Sequence, residues 1–484
     1  MRQTAFFPLD DLVFWKKQLL HWAAGHELAV YLDSNGYSTR RVIRRHPVTT
    51  NAWECLVAAG AASILEVNAG QAFKQLSSLR YDKIGKDWLF GFFGYDLKNE
   101  TERLSSQHFD GIGLPDLGFF QPETVVGIRG NQIEIQTIGR MPEEIFEEIK
   151  TAKPDAFSMT KRQNVKVELE PRMSKVEHLQ KVEAIRRHIV EGDVYEMNLC
   201  QEFFAENADL DPVTVFERLN EIGKAPFATF MRWSDRYLLS ASPERFLKKE
   251  GQKLISQPIK GTRRRSKEDD KKMREELLNS EKDRAENVMI VDLVRNDLAR
   301  NCLPGSVQVE ELFGIYTFET VHQMISTVTG ILKNEPSAFA KASAGKNDAM
   351  TNDELTIIAL RDAFPPGSMT GAPKVMAMEL IEKYEQTRRG LYSGAIGYID
   401  PAGDFDFNVV IRSILYNAVN RYVSVQVGGA IVYDSVPEEE YEECLVKAEA
   451  MLRALGLPPS PSKGGGERPA PSPFGEGWGG AIPV

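Results

Sequence analysis

Cysteine is scarce in this 484-residue chain: Cys55, Cys200, Cys302 and Cys444 are the only four, widely scattered and without a C-x-x-C pair. That excludes a disulfide framework and a thiolate zinc site, fits a reducing compartment, and leaves the four to be read as buried thiols. No apolar run approaches the roughly 18 residues that a membrane span needs, so a membrane is excluded as a partner. Asp10 and Asp11 interrupt the N-terminus before the apolar core of a signal peptide develops, and the cytoplasm is the expected location. Basic charge is in deficit, with 59 Lys and Arg against 69 Asp and Glu and a formal net charge of -10. Without a basic footprint nucleic acid is excluded as well, and an anionic substrate would need a local cationic pocket. No cysteine lies in a G-x-C-x-G nucleophile loop for glutamine hydrolysis, and no internal repeat is present. The run Phe364 to Lys374 has the wrong glycine-to-lysine spacing for G-x-x-x-x-G-K-[ST], which rejects nucleotide binding.

What is there is a globular composition, 42% hydrophobic and 26% charged, able to bury a large core. Short apolar runs such as Trp88 to Tyr95 and Thr124 to Ile128 read as strands of an N-terminal region spanning 1–165. The helix-prone segment Lys175 to Glu191 opens a second region, 166–456. There Tyr237 to Ala241 and Tyr422 to Val427 suggest sheet, while Asp283 to Arg300 and Pro437 to Leu455 carry helical periodicity. Strands and helices are interspersed irregularly, which predicts an α+β fold with large antiparallel β-sheets flanked by helices. Segment 335–353 reads as a low-complexity insertion, and 457–484 as a disordered tail rich in Pro, Gly and Ser.

Several groups of residues could carry chemistry. Glu440, Glu443 and Lys447 fall at i, i+3 and i+7 of one helix and share a face. Asp283 and Glu286 share a side of another helix, followed by an apolar stripe of Met289, Ile290 and Leu293 that should bury it. Two helices giving carboxylates suit Mg²⁺, which keeps several waters and is completed by substrate oxygens; glutamates at helical spacing are also what an ordinary solvated face looks like. Gly428 and Gly429 end an apolar strand where backbone N–H groups could approach a carboxylate, or else mark a bulge. Arg412, in Val409 to Ser413, lies in an apolar strand and needs an anion, from the protein or from a ligand. Lys260 precedes Arg263, Arg264 and Arg265. Such a run is by itself a solvated basic loop, but lysine is also the side chain whose pKa falls readily when desolvated or set near other cations, the condition for an amine nucleophile.

These segments resemble the chorismate-utilising enzyme family, which includes synthases of anthranilate, aminodeoxychorismate, isochorismate and salicylate. The resemblance runs from about Gly192 to Ala450 through Gly192 to Asn198, Ser242 to Phe246, Pro258 to Thr262, Ala285 to Arg300, Val321-His322, Gly367 to Lys374, Gly394 to Tyr398 and Asp434 to Lys447. It is looser before 165, chiefly around Gly91 to Asp96. The resemblance implies the chorismate-utilising fold, with Glu286 and Glu443 holding Mg²⁺ and Asp283 and Glu440 adjoining. It further implies that Arg412, Lys447, Tyr398, Thr370, Gly371, Gly428 and Gly429 contact chorismate. His322 matches the histidine that assists pyruvate elimination in the anthranilate enzymes, although a satisfied core histidine would look the same.

Within the family, the position of Lys260 is lysine in the aminodeoxychorismate branch and typically alanine elsewhere. There the lysine adds to the ring as the 4-hydroxyl leaves, and ammonia then displaces it. Glu244 matches the acid/base residue for that hydroxyl. The isochorismate and salicylate branches carry a water-activating lysine where this chain has Glu196. The expected reaction is therefore chorismate plus ammonia to 4-amino-4-deoxychorismate, for p-aminobenzoate and folate synthesis, with ammonia from a separate glutamine amidotransferase subunit. The alternatives are formation of anthranilate with loss of pyruvate and, from another class, a chorismate-binding regulatory subunit without turnover. Two departures from the family pattern are Ala430, where a third glycine is usual, and Cys200-Gln201-Glu202 after Asn198.

Overall fold

The structure, a computed structural model, describes residues 2–37, 53–153, 167–266, 268–333 and 352–458. The expected boundary near 165 and the tail beyond 458 lie outside these residues. So does the expected insertion up to 351, where the helix Asn352–Ala363 begins.

The fold is α+β, and every pairing between its strands is antiparallel, in one branched sheet. The branch point is the long strand Leu117–Arg129. One arm leaves it through Cys55–Val67, Leu28–Asp33, Phe227–Trp233, Arg236–Ser242, Ser413–Asn417 and Tyr422–Ile431, and ends at Glu196–Ala205. The other leaves through Leu89–Phe93, Ala395–Ile399, Phe405–Val409, Arg245–Glu250 and Lys253–Gln257 to Val321–Ile331, which also pairs with Ile259–Arg264 on that edge and with Gln308–Thr317 on its other edge. Strands from before 165 therefore form a central block, flanked on both sides by strands from after 165, within one hydrogen-bonded sheet. A shared core of Val30, Phe92, Phe119, Trp233 and Phe407 forms where the arms face each other.

Helices cover the outer faces because each supplies an apolar stripe. Leu12–Ala24, Pro212–Gly223 and Pro437–Ala454 bring Trp15, Phe216, Met451 and Leu452 to one arm. Glu281–Asn301 and Asn352–Ala363 bring Ile290, Leu298 and Leu360 toward the other. Local signals set their ends. A reciprocal capping box between Ser174 and Glu177 starts Lys175–Glu191, and Gly192, at φ 87°, stops it. Pro437 at the first turn, followed by Glu438, Glu439 and Glu440, starts the last helix. All four cysteines are free and buried. Among the described residues no helix is long and apolar enough to cross a membrane.

Trp233 ties the two regions together: 2% exposed, it packs its edge against Phe92 at 5.1 Å and Phe120 at 5.9 Å. Trp233→Ala should cost about 3–5 kcal/mol and shift a single cooperative transition seen by both calorimetry and far-UV dichroism. Two resolved transitions, only one of them moved, would contradict a continuous sheet.

Candidate active site

The two arms meet at one ion pair near their ends. Lys260 lies in the strand Ile259–Arg264, whose register against Val321–Ile331 slips by one residue between Ile259 and Thr262. Gly261 supplies the extra residue, at φ +85°, and a Cβ there would come within 3.0 Å of Asp283 and 2.9 Å of Leu277. A glycine bulge of this kind re-aims the neighbouring side chain, and Nζ of Lys260 reaches Oε1 of Glu196 at 2.5 Å. Burial opposes the Lys260 ammonium, but the carboxylates of Glu196 and Glu286 outweigh it and hold its pKa above the ordinary lysine value. The expectation of a lysine depressed by neighbouring arginines is thus corrected. Arg263 turns to Asp283 at 2.7 Å, Arg264 to Glu449 and Arg265 to Asp270 at 3.2 Å.

Two helices bring further carboxylates to the same cleft. Glu286, from Glu281–Asn301, has a pKa raised to about 7, by burial first and then by the charges of Glu196 and Glu443 against the pull of Lys260 and Lys282. Glu443, from Pro437–Ala454, is held below the carboxylate range by Lys447, whose Nζ lies 2.7 Å away and also donates to the Gly428 carbonyl at 2.7 Å. Glu440 is buried, accepts from Ser435 Oγ at 2.6 Å and faces Lys282 at 3.8 Å. Asp283 is taken by Arg263. No three of these four carboxylates bring ligand oxygens within 4.8 Å of one another, because lysines stand between them. Glu286 and Glu443, crowded like charges from facing helices, nevertheless form a donor set that suits a hard divalent cation. The residues that do gather donor atoms are His188, Glu191 and Asp193 at the surface, where His188 is already engaged by Asp193 and by Tyr384.

The glycines of Tyr422–Ile431 do not end that strand; it runs on to Ile431. A Cβ at Gly428 would collide with Cys200 Sγ and the Leu199 carbonyl at 2.5 Å, while one at Gly429 would lie 3.0 Å from Glu440 Oε2. Gly429 therefore leaves room at the carboxylate face. Ala430 is not among the residues at positive φ and pairs with Asn198 in the regular ladder.

Glu244 follows Ser242 at the start of Arg245–Glu250 and is 5% exposed. Burial raises its pKa to about 7, against the lowering effects of a hydrogen bond from Ser368 and of the Lys260 charge. Ser368 and Thr370 sit in the segment that joins 3-10 turn Gly367–Met369 to the short strand Gly371–Ala372. That strand pairs with Met197 and Glu196. Asn198 fixes the segment by donating to the carbonyls of Ser368 at 3.0 Å and Thr370 at 3.3 Å, and Thr370 Oγ1 donates to the Gly367 carbonyl.

Three expected residues stand differently. Arg412 is not in a strand: it occupies the left-handed region at φ 50°, between Phe405–Val409 and Ser413–Asn417. Burial alone lowers its pKa, with no carboxylate to offset it, which leaves the guanidinium available to an anion. His322 is buried, and its ring is held by Asp270 at 2.9 Å and Thr317 at 3.0 Å. Tyr398 packs against Trp88 and Phe90, at 5.7 Å from each, and lines a separate pocket with Asp33, Ser34, Pro226 and Phe227. Glu196 is the residue that sequence reasoning placed only as a branch marker. A charge at an inward position of the apolar strand Glu196–Ala205 was the signal that it belongs to the site.

The cleft, its carboxylate pair and the sheet that frames it define a class, and comparison with known proteins agrees. The model of the chorismate binding enzyme family matches residues 29–453, and this chain belongs to that family. It is 36% identical over 373 residues to aminodeoxychorismate synthase component 1 of Salmonella typhimurium, covering 75% of this chain and 76% of that one. It is 34% identical over 412 residues to the chloroplastic aminodeoxychorismate synthase of Arabidopsis thaliana, covering 79% of this chain but only 42% of the plant protein's length. The crystal structure of anthranilate synthase component I from Streptococcus pneumoniae superposes with a TM-score of 0.70 at 26% identity, covering 85% of this chain and 94% of that one.

The raised pKa of Glu244 has a sign that can be checked. Its folded value, about 7, exceeds the unfolded value of roughly 4.3, so the folded state binds more protons and the stability linked to this group is lost as pH rises from about 4 through 7. Glu244→Gln should therefore gain in Tm relative to the wild type between pH 5 and pH 8. An unchanged difference across that range would show that Glu244 is not protonated in the fold.

Proposed function

We propose that this protein is the chorismate-aminating component of an aminodeoxychorismate synthase, turning chorismate and ammonia into 4-amino-4-deoxychorismate for p-aminobenzoate and folate synthesis. The observation that carries this reading is Lys260. It is a lysine aimed by a glycine bulge into a cleft of carboxylates, 2.5 Å from Glu196, in a chain whose relatives include proteins of that name.

The residues divide the work by charge. Arg412, without a carboxylate partner, and Lys447 would receive the carboxylates of chorismate, and Gly429 leaves room for them beside Glu440. Glu244, with a pKa near neutrality, would protonate the departing 4-hydroxyl, a poor leaving group without an acid. Lys260 would add to the ring as that hydroxyl leaves, dividing one hard displacement into two, and ammonia would then displace the lysine. The enolpyruvyl group stays in place, consistent with the tied position of His322. Glu286 and Glu443 would hold Mg²⁺, with Glu440 and Asp283 adjoining; bound there, the ion would neutralise the ring carboxylate and withdraw charge from the ring. Ammonia would come from a glutamine amidotransferase subunit, in keeping with the relative described as component 1. The cytoplasm is the proposed location.

Lys260→Ala should lower ammonia-dependent amination by a factor on the order of 10² or more with the fold intact by far-UV dichroism. An unchanged rate would sink the covalent route while leaving the product assignment standing.

A further inference from the structure

Glu196 is the least exposed carboxylate of the cleft, at 0%. Its backbone is pinned from one side by the short strand Gly371–Ala372: Tyr195 N donates to Ala372 O at 2.7 Å, and the Glu196 carbonyl lies 2.2 Å from where a Cβ of Gly371 would be. Only glycine allows that approach, so the side chain starts from a fixed base. Oε1 meets Lys260 Nζ at 2.5 Å, and Oε2 has no hydrogen-bond partner among the described residues. A buried carboxylate with one oxygen unsatisfied is costly for the fold, and no arginine shares it.

A protonated lysine cannot attack. The arginines that follow Lys260 are engaged elsewhere, and the surrounding carboxylates favour the ammonium, so the amine must be made by proton transfer to a group in contact with it. Glu244 is bonded to Ser368 and is assigned to the hydroxyl, and Glu443 is paired with Lys447.

We propose that Glu196 anchors Lys260 Nζ and accepts its proton as the amine adds to the chorismate ring, and returns that proton when ammonia expels the lysine. The inference rests on the reading of Lys260 as the nucleophile. The steps balance. The Lys260 ammonium gives a proton to Glu196. The free amine forms an N–C bond as the C4–O bond breaks, and the hydroxyl leaves as water with the proton of Glu244. Ammonia then forms its own N–C bond at C4 while the Lys260 N–C bond breaks. Glu244 takes a proton from the new ammonium, and Glu196 reprotonates Lys260. The net change is chorismate plus ammonia to the amino product plus water.

The test uses the full chain with Mg²⁺ and chorismate, without ammonia, quenched over time and weighed by intact-protein mass spectrometry, with peptide mapping to locate the adduct. The wild type should accumulate chorismate less one water on Lys260. Glu196→Gln keeps an acceptor oxygen but no basicity, and should form the adduct about 10²-fold more slowly or worse, with its KM for chorismate within about threefold of wild type. Glu196→Asp restores basicity on a shorter arm and should recover at least a tenth of the wild-type rate. Adduct formation at the wild-type rate in Glu196→Gln overturns the inference. So does a folded Glu196→Asp protein that recovers less than a tenth of the wild-type adduct rate, a comparison that stands even if the Gln variant does not fold. A wild type that turns over but never shows mass on Lys260 overturns the underlying nucleophile reading instead.

Discussion

The two arms of the sheet part at Leu117–Arg129, pack on a shared apolar core, and are bridged near their ends by the Glu196–Lys260 pair. Backbone pairing gives each arm its internal register, and the closure between the arms at this cleft is electrostatic. Carboxylates from a strand and two helices crowd the space, and Lys260, Lys282 and Lys447 stand among them as the charges that keep the cluster folded. In the interior such pairs repay desolvation only with good geometry, and two tight approaches supply it: Gly261 under Lys260, and Gly371 under Glu196.

The same arrangement explains how a lysine can be both structural and chemical. As an ammonium, Lys260 neutralises its surroundings in the free protein. In the proposed mechanism, once substrate and a divalent cation contributed their own charges, the contact with Glu196 would become a short path for one proton. Glu244, on the opposite arm and tied to the Ser368 segment, keeps a second proton near neutrality. The acid and base roles proposed for Glu244 and Glu196 would thus fall to carboxylates with separate neighbours, the usual basis for distinguishing acid from base in one cleft.

Much of this was legible in the sequence because spacing encodes it. The i, i+3, i+7 pattern placed Glu440, Glu443 and Lys447 on one helix face, and Glu443 and Lys447 do pair. The helices and strands read from periodicity lie within a few residues of those observed, and the antiparallel α+β class followed from their irregular order. What failed depends on through-space neighbours. Arg263 and Arg264 find acidic partners 20 and 185 residues away, and Arg265 turns to Asp270, so adjacency predicted the wrong pKa direction. Arg412 was read as a strand residue because its neighbours are apolar, yet it takes the left-handed turn between two strands. The apolar stripe expected at Met289, Ile290 and Leu293 is formed instead by Ile290, Val291, Val294 and Leu298, a rotation that the helix's mixed composition did not reveal.

The central claim is that this cleft aminates chorismate and keeps its side chain. The most direct measurement is the product made from chorismate, Mg²⁺ and ammonium by the isolated chain, identified by mass spectrometry with pyruvate assayed in parallel. The account predicts 4-amino-4-deoxychorismate, with the enolpyruvyl group retained and no pyruvate released; anthranilate accompanied by stoichiometric pyruvate would contradict it.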